Sequence, residues 1–169
     1  MAAQRAKELR QEGPALHGVE RAIRNAEREE LRILSPDGRV LLELTGDQAQ
    51  IPLNDVALSL FRGNIVTHNH PAGDSFSRSD VRLLLTHKAA QVRVVTPEWT
   101  YILDLPLDTE WEDIADLVNI IMGQVRAEHQ EAVIRGIMTL DQSDKRFWHD
   151  VWSGVAEVRG WRYKRNAAE

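Results

Sequence analysis

The chain contains no cysteine, which excludes a disulfide framework, a thiolate nucleophile and a sulfur-ligated metal site. Any metal it holds must be bound by histidine and carboxylate. No apolar run approaches the roughly 18–20 residues that span a bilayer, so no membrane partner is expected. An excess of basic residues is also missing. The 21 Lys and Arg stand against 26 Asp and Glu, giving a net charge of -5 and a pI near 5.7. Nucleic acid is therefore not the expected partner, because phosphate binding needs a cationic surface. The opening MAAQRAKELRQEG has no apolar core of the kind a signal peptide carries. With no internal repeat and no low-complexity segment, the simplest expectation is a cytoplasmic protein.

What is present is a chain of 169 residues, 43% hydrophobic, enough for one core with an appended helical part. Ala3 to Gln11 reads as a charged helix ended by Gly13-Pro14, and Val19 to Arg28 as a second helix. From Glu29 the period changes to two. The run EELRILSPDGRVLLEL places Leu31 and Ile33 on one face, turns at Pro36-Asp37-Gly38 and resumes over Val40 to Leu44, a β-hairpin. Asn54 is a helix N-cap with Gly63 as the stop. Asn64 to Thr67 is a short apolar strand. Ser77 caps a helix running to about Ala89, with Asp80 three residues on as in a capping box. Gln91 to Thr96 and Thr100 to Leu103 read as strands around a turn at Pro97. From Glu110 onward the chain reads as helical, with a break near Leu140-Asp141-Gln142. The fold class expected is a mixed α/β sheet flanked by helices, with a helical C-terminal part.

The chemistry concentrates in THNHPAGDSFSRSD, residues 67–80. Residues two apart on a strand point the same way, so His68 and His70 can aim both imidazoles at one point. Pro71 ends the strand, and Gly73 lets the loop turn back. Asp80 then falls in the first turn of the next helix. Two imidazoles and one carboxylate leave a fourth position for water, the ligand count of a catalytic zinc site. Such a site needs a general base, and the upstream strand offers Glu29 and Glu30. Glu29 shares the more apolar face with Leu31 and Ile33.

The string HNHPAGDSFSRSD resembles the motif of the JAB/MPN/JAMM zinc metallopeptidases, and most of all their bacterial RadC-like branch. There a glutamate on an early strand precedes His-x-His and a later Ser-x-x-Asp. The resemblance covers roughly residues 20–105. It implies zinc held by His68, His70 and Asp80, a water bridging to the glutamate, and Ser77 hydrogen-bonding the developing oxyanion. By analogy with the RadC strand, the base maps to Glu29 rather than Glu30. The implied activity is hydrolysis of a peptide or isopeptide bond in a protein or peptide substrate. The implied division is a lead-in over 1–18, a metallopeptidase core over 19–108 and a helical extension over 109–169. One departure stands out. The family pattern usually has seven residues between the second histidine and the serine, and here there are six, Pro71 to Phe76. The shorter spacing is similar to JAB-like domains of phage-associated and toxin-like proteins. A second function class therefore stays open, a JAB-like metal-binding module serving assembly or protein interaction.

The remaining signals read more plainly. His87 lies two helical turns after Asp80 and reads as a half-exposed helix residue. His17, His129 and His149 have no matching partners and read as surface residues. Trp148, Trp152 and Val155 form one apolar helix stripe, either packed on its own domain or offered to a partner or a second copy. Arg159, Arg162, Lys164 and Arg165 read as a solvated basic tail.

Overall fold

A computed structural model of the chain describes residues 14–47 and 51–168. Along the chain run α1 (Pro14–Ile23), β1 (Glu30–Leu34), β2 (Val40–Thr45), α2 (Asp55–Phe61), β3 (Ile65–Asn69) and α3 (Arg78–Thr86). There follow β4 (Gln91–Val95), β5 (Trp99–Asp104), a short 3-10 turn (Trp111–Asp113), α4 (Ala115–Ile134), α5 (Leu140–Arg159) and β6 (Tyr163–Ala167). The strands form one mixed sheet of order β2-β1-β3-β4-β5-β6. This is the mixed α/β fold that the alternating pattern implies. No helix among the described residues is long and apolar enough to cross a membrane.

β3 and β4 lie in the middle, and every residue of both is buried. They run parallel, joined by the crossover helix α3, whereas β1 pairs β3 antiparallel. Parallel strands covered on both faces need apolar or paired side chains on both sides. On one face Leu31, Ile33, Val66, Val92, Val94 and Leu103 meet Phe61, Leu84, Trp111, Val118 and Trp152 from the helices in a single core cluster. On the opposite face Leu34 and Ile65 pack with Leu16 of α1. That face also buries a charge pair, Arg93 of β4 with Glu20 of α1, to which the Thr67 hydroxyl donates. A buried charge is tolerable only when paired in this way.

Local chemistry explains most boundaries. Asn54 caps α2 by accepting from the Ala57 N–H, and Ser77 with Asp80 forms the reciprocal capping box of α3. Three expectations need correction. The helix expected over residues 19–28 runs instead from Pro14 to Ile23. Proline suits a first helical position, and the carbonyls of Ala26 and Arg28 bond the Asn69 side chain rather than a helical ladder. The break expected at 140–142 falls just earlier, because Thr139 caps α5 and Leu140 is its first residue. The end is not helical throughout, nor a solvated tail. β6 pairs antiparallel with β5, Arg165 lies 4.3 Å over the Trp99 ring, and Arg162 meets Asp104 at 3.2 Å. The charged helix expected over Ala3 to Gln11 lies outside the described residues.

Candidate metal centre

The two imidazoles stand where the parallel strand β3 ends. His68 is its penultimate residue, and His70 continues the ladder by donating its N–H to the Val95 carbonyl at 3.0 Å. The chain then turns, with the Gly73 N–H bonding the His70 carbonyl at 3.0 Å. Gly73 has φ +90, a conformation in which an L side chain is strained. This turn returns the chain to Ser77, and the first turn of α3 brings in Asp80.

His68 Nε2 and His70 Nε2 lie 2.9 Å apart, and Asp80 Oδ2 lies 3.9 and 3.7 Å from them. The point equidistant from three atoms so spaced lies about 2.1 Å from each, the length of a zinc–nitrogen or zinc–oxygen bond. Both histidines are buried. Burial, then the neighbouring His70, lowers the His68 pKa to about 4, so this ring is neutral near pH 7 with a lone pair to donate. Burial opposes charge on His70 as well, but the Asp74 hydrogen bond and the surrounding carboxylates outweigh it and raise its pKa.

Asp74 was not a candidate in the sequence. Its Oδ1 lies 3.2 Å from His70 Nδ1, and its own carbonyl oxygen lies 3.3 Å from the same nitrogen. Two acceptors on Nδ1 assign the proton there and leave the Nε2 lone pair directed at the shared point. Carboxylates commonly orient metal-binding histidines in this manner. The signal was available, since Asp74 sits inside the loop four residues after His70. His68 Nδ1, by contrast, is buried without a protein partner among the described residues.

Glu29 directly precedes β1. Leu31 pairs with His68, so the next step of the same register sets Glu29 opposite His70, on the face that carries both imidazoles. Burial raises its carboxyl pKa. The His70 charge opposes this, and Asp80, Asp47 and Asp74 reinforce it. Glu30 faces the other way and pairs with Arg32 at 2.5 Å. Ser77 accepts from the Asp80 N–H at 3.2 Å, while its own N–H bonds Asp80 Oδ2 at 2.7 Å. Its hydroxyl proton is not used by these bonds. The structure thus brings together His68, His70 and Asp80, with Glu29 and Ser77 beside them.

The helices at the far end of the chain hold this loop in place. Trp152 of α5 donates its indole N–H to the Phe76 carbonyl at 2.8 Å, next to Ser77. Trp152 and Val155 are fully buried in the chain's own core, and Trp148 stacks on Trp152. The stripe therefore faces inward. His87 is partly buried, edge-on to Phe61. His129 and His149 are not surface residues. His129 is buried between Ser143 and Asp150, and His149 Nδ1 lies 2.7 Å from the Tyr163 hydroxyl. Their partners come from positions too distant in sequence to be anticipated.

No family model, curated protein or solved structure matches the chain.

Proposed function

We propose that the chain is a zinc-dependent metallopeptidase or isopeptidase of the JAB/MPN/JAMM kind, hydrolysing a peptide or isopeptide bond. The observation that carries this reading is the convergence of two imidazole nitrogens and one carboxylate oxygen on a point at zinc-bond distance from all three. The donor set fits zinc: nitrogen and oxygen ligands, a neutral His68 ring, and a carboxylate behind His70. Zinc in this position would supply a Lewis acid that polarises the scissile carbonyl and makes water acidic enough to react near pH 7.

The remaining work falls to named side chains. Glu29, half-buried beside His70 and Asp80, takes a proton from the attacking water as the water oxygen bonds the carbonyl carbon. The Ser77 hydroxyl donates to the carbonyl oxygen as negative charge develops there. Glu29 then passes the proton to the leaving nitrogen as the carbon–nitrogen bond breaks. A carboxyl whose pKa is raised suits this exchange, because a base works best near the operating pH.

The test measures zinc in the purified protein by elemental analysis. It then follows cleavage of a pool of quenched-fluorescent peptides and of a Gly–Lys isopeptide, with and without chelator. Glu29→Gln is expected to keep its zinc and lose roughly 10²–10⁴-fold in rate, since an amide takes no proton. Glu30→Gln, on the opposite face, is expected to change the rate little. Reversed effects would move the base by one residue. Bound zinc without cleavage of either substrate would favour the non-hydrolytic metal-binding module, and absent zinc would end both readings.

A further inference from the structure

We infer that Asn69, the residue between the two imidazoles, is the positioning residue that fixes Glu29 beside the metal ligands. This rests on the reading of Glu29 as the base. His68 and His70 face one side of β3, so the residue between them faces the other. There Asn69 is fully buried, and every polar group of its amide is engaged. Oδ1 accepts from the Glu30 N–H at 2.6 Å, and Nδ2 donates to the carbonyls of Ala26 at 3.1 Å and Arg28 at 3.0 Å. All three bonds end on the segment from residue 26 to residue 30, the connection that delivers Glu29.

That segment has no regular structure before β1 begins at Glu30. On one side, the main chain of Glu29 is tied to the residues just after β2, its N–H to the Asp47 carbonyl and its carbonyl to the Gly46 N–H. On the other side main-chain pairing with β3 stops at Leu31 and His68, and the Asn69 side chain takes over. The base is thus held from both neighbours, and on the metal-binding strand one amide makes the connection. The site needs two donors and one acceptor on a short uncharged side chain, which asparagine alone supplies at this reach. Aspartate keeps the acceptor for Glu30 but sets a carboxylate against two carbonyls. Alanine removes the side-chain partner of three part-buried main-chain groups.

The experiment compares zinc-loaded wild type with Asn69→Ala, Asn69→Asp, Glu29→Gln and the double variant Asn69→Ala/Glu29→Gln. Hydrogen–deuterium exchange over residues 26–30 is expected to quicken about tenfold in both Asn69 variants, with the other strands unchanged. Zinc affinity, measured by competition with a chromogenic chelator, is expected to stay within about threefold, since no ligand is touched. With the same peptide pool, kcat is expected to fall about 10–100-fold at nearly constant KM, the effect of a misplaced catalytic group. The double variant is expected to be no slower than Glu29→Gln alone, because a residue acting through Glu29 has nothing further to lose. Unchanged exchange, lost zinc, or losses that multiply in the double variant would each overturn the inference. Asn69→Asp, nearly the same size as asparagine, decides the matter if the alanine variant does not fold. Full activity in Glu29→Gln would instead defeat the metallopeptidase reading, and exchange would then judge the positioning claim by itself.

Discussion

Two groups of histidine and carboxylate are built from the same kinds of side chain and do different things. In the helical pair, His129 of α4 bonds Ser143 through Nδ1 at 3.0 Å and Asp150 through Nε2 at 2.8 Å. Ser143 and Asp150 lie two turns apart on one face of α5, so a single imidazole joins the two helices along their contact. Each ring nitrogen is matched to one partner, and the arrangement is complete as it stands. On the sheet, His68 and His70 direct Nε2 atoms toward each other and toward one oxygen of Asp80. The nitrogen lone pairs there share a focus. Convergence on a point, rather than the presence of histidine and aspartate, separates this group from a clamp.

The sharpest way to break this comparison is to remove one member of each group and measure metal. His68→Ala or Asp80→Ala is expected to abolish stoichiometric zinc, because a three-ligand site loses most of its affinity with one ligand gone. His129→Ala is expected to leave zinc content unchanged. Zinc retained in the first pair, or lost in the last, would remove the distinction.

A smaller effect is expected in stability. His129→Ala removes the partner of Ser143 and of one Asp150 oxygen, the other staying with Arg146, and is expected to lower the unfolding free energy by about 1–3 kcal/mol in a denaturant titration. A change within error would show that the clamp contributes nothing to the packing of α4 on α5.

The smallest effect is one of pH, at His149. Burial first, then Arg165, lowers its pKa from 6.5 to about 4. Between those values the unfolded chain binds a proton that the folded chain refuses. This histidine therefore makes the fold less stable as pH falls through that window and has no such effect above it. His149→Gln is expected to reduce the stability loss between pH 7 and pH 5 by on the order of 1 kcal/mol. An unchanged slope would remove His149 from the acid response.

What the sequence disclosed, and what it hid, divides along the range of the interactions. The β-hairpin, the Asn54 cap and the Ser77–Asp80 box are local, and residue spacing encodes them directly. The alternation that sets His68 and His70 on one face is local too. β6 was hidden because YKRNA has no apolar alternation. As an edge strand it needs only main-chain pairing with β5, and its charges point away from the core. Asn69 was hidden for a different reason. Its partners lie about forty residues earlier, and nothing in the residues near it announces which carbonyls will return to it.

The bond from Trp152 to Phe76 has a consequence in time as well as in space. It joins residues 76 positions apart. At the usual pace of about 5–20 residues per second, Trp152 is made roughly 4–15 seconds after the loop it holds. His68, His70 and Asp80 are all synthesised before any of α5 exists. A nascent chain therefore passes through an interval in which His68, His70 and Asp80 are all present while the loop between them is not yet pinned from behind.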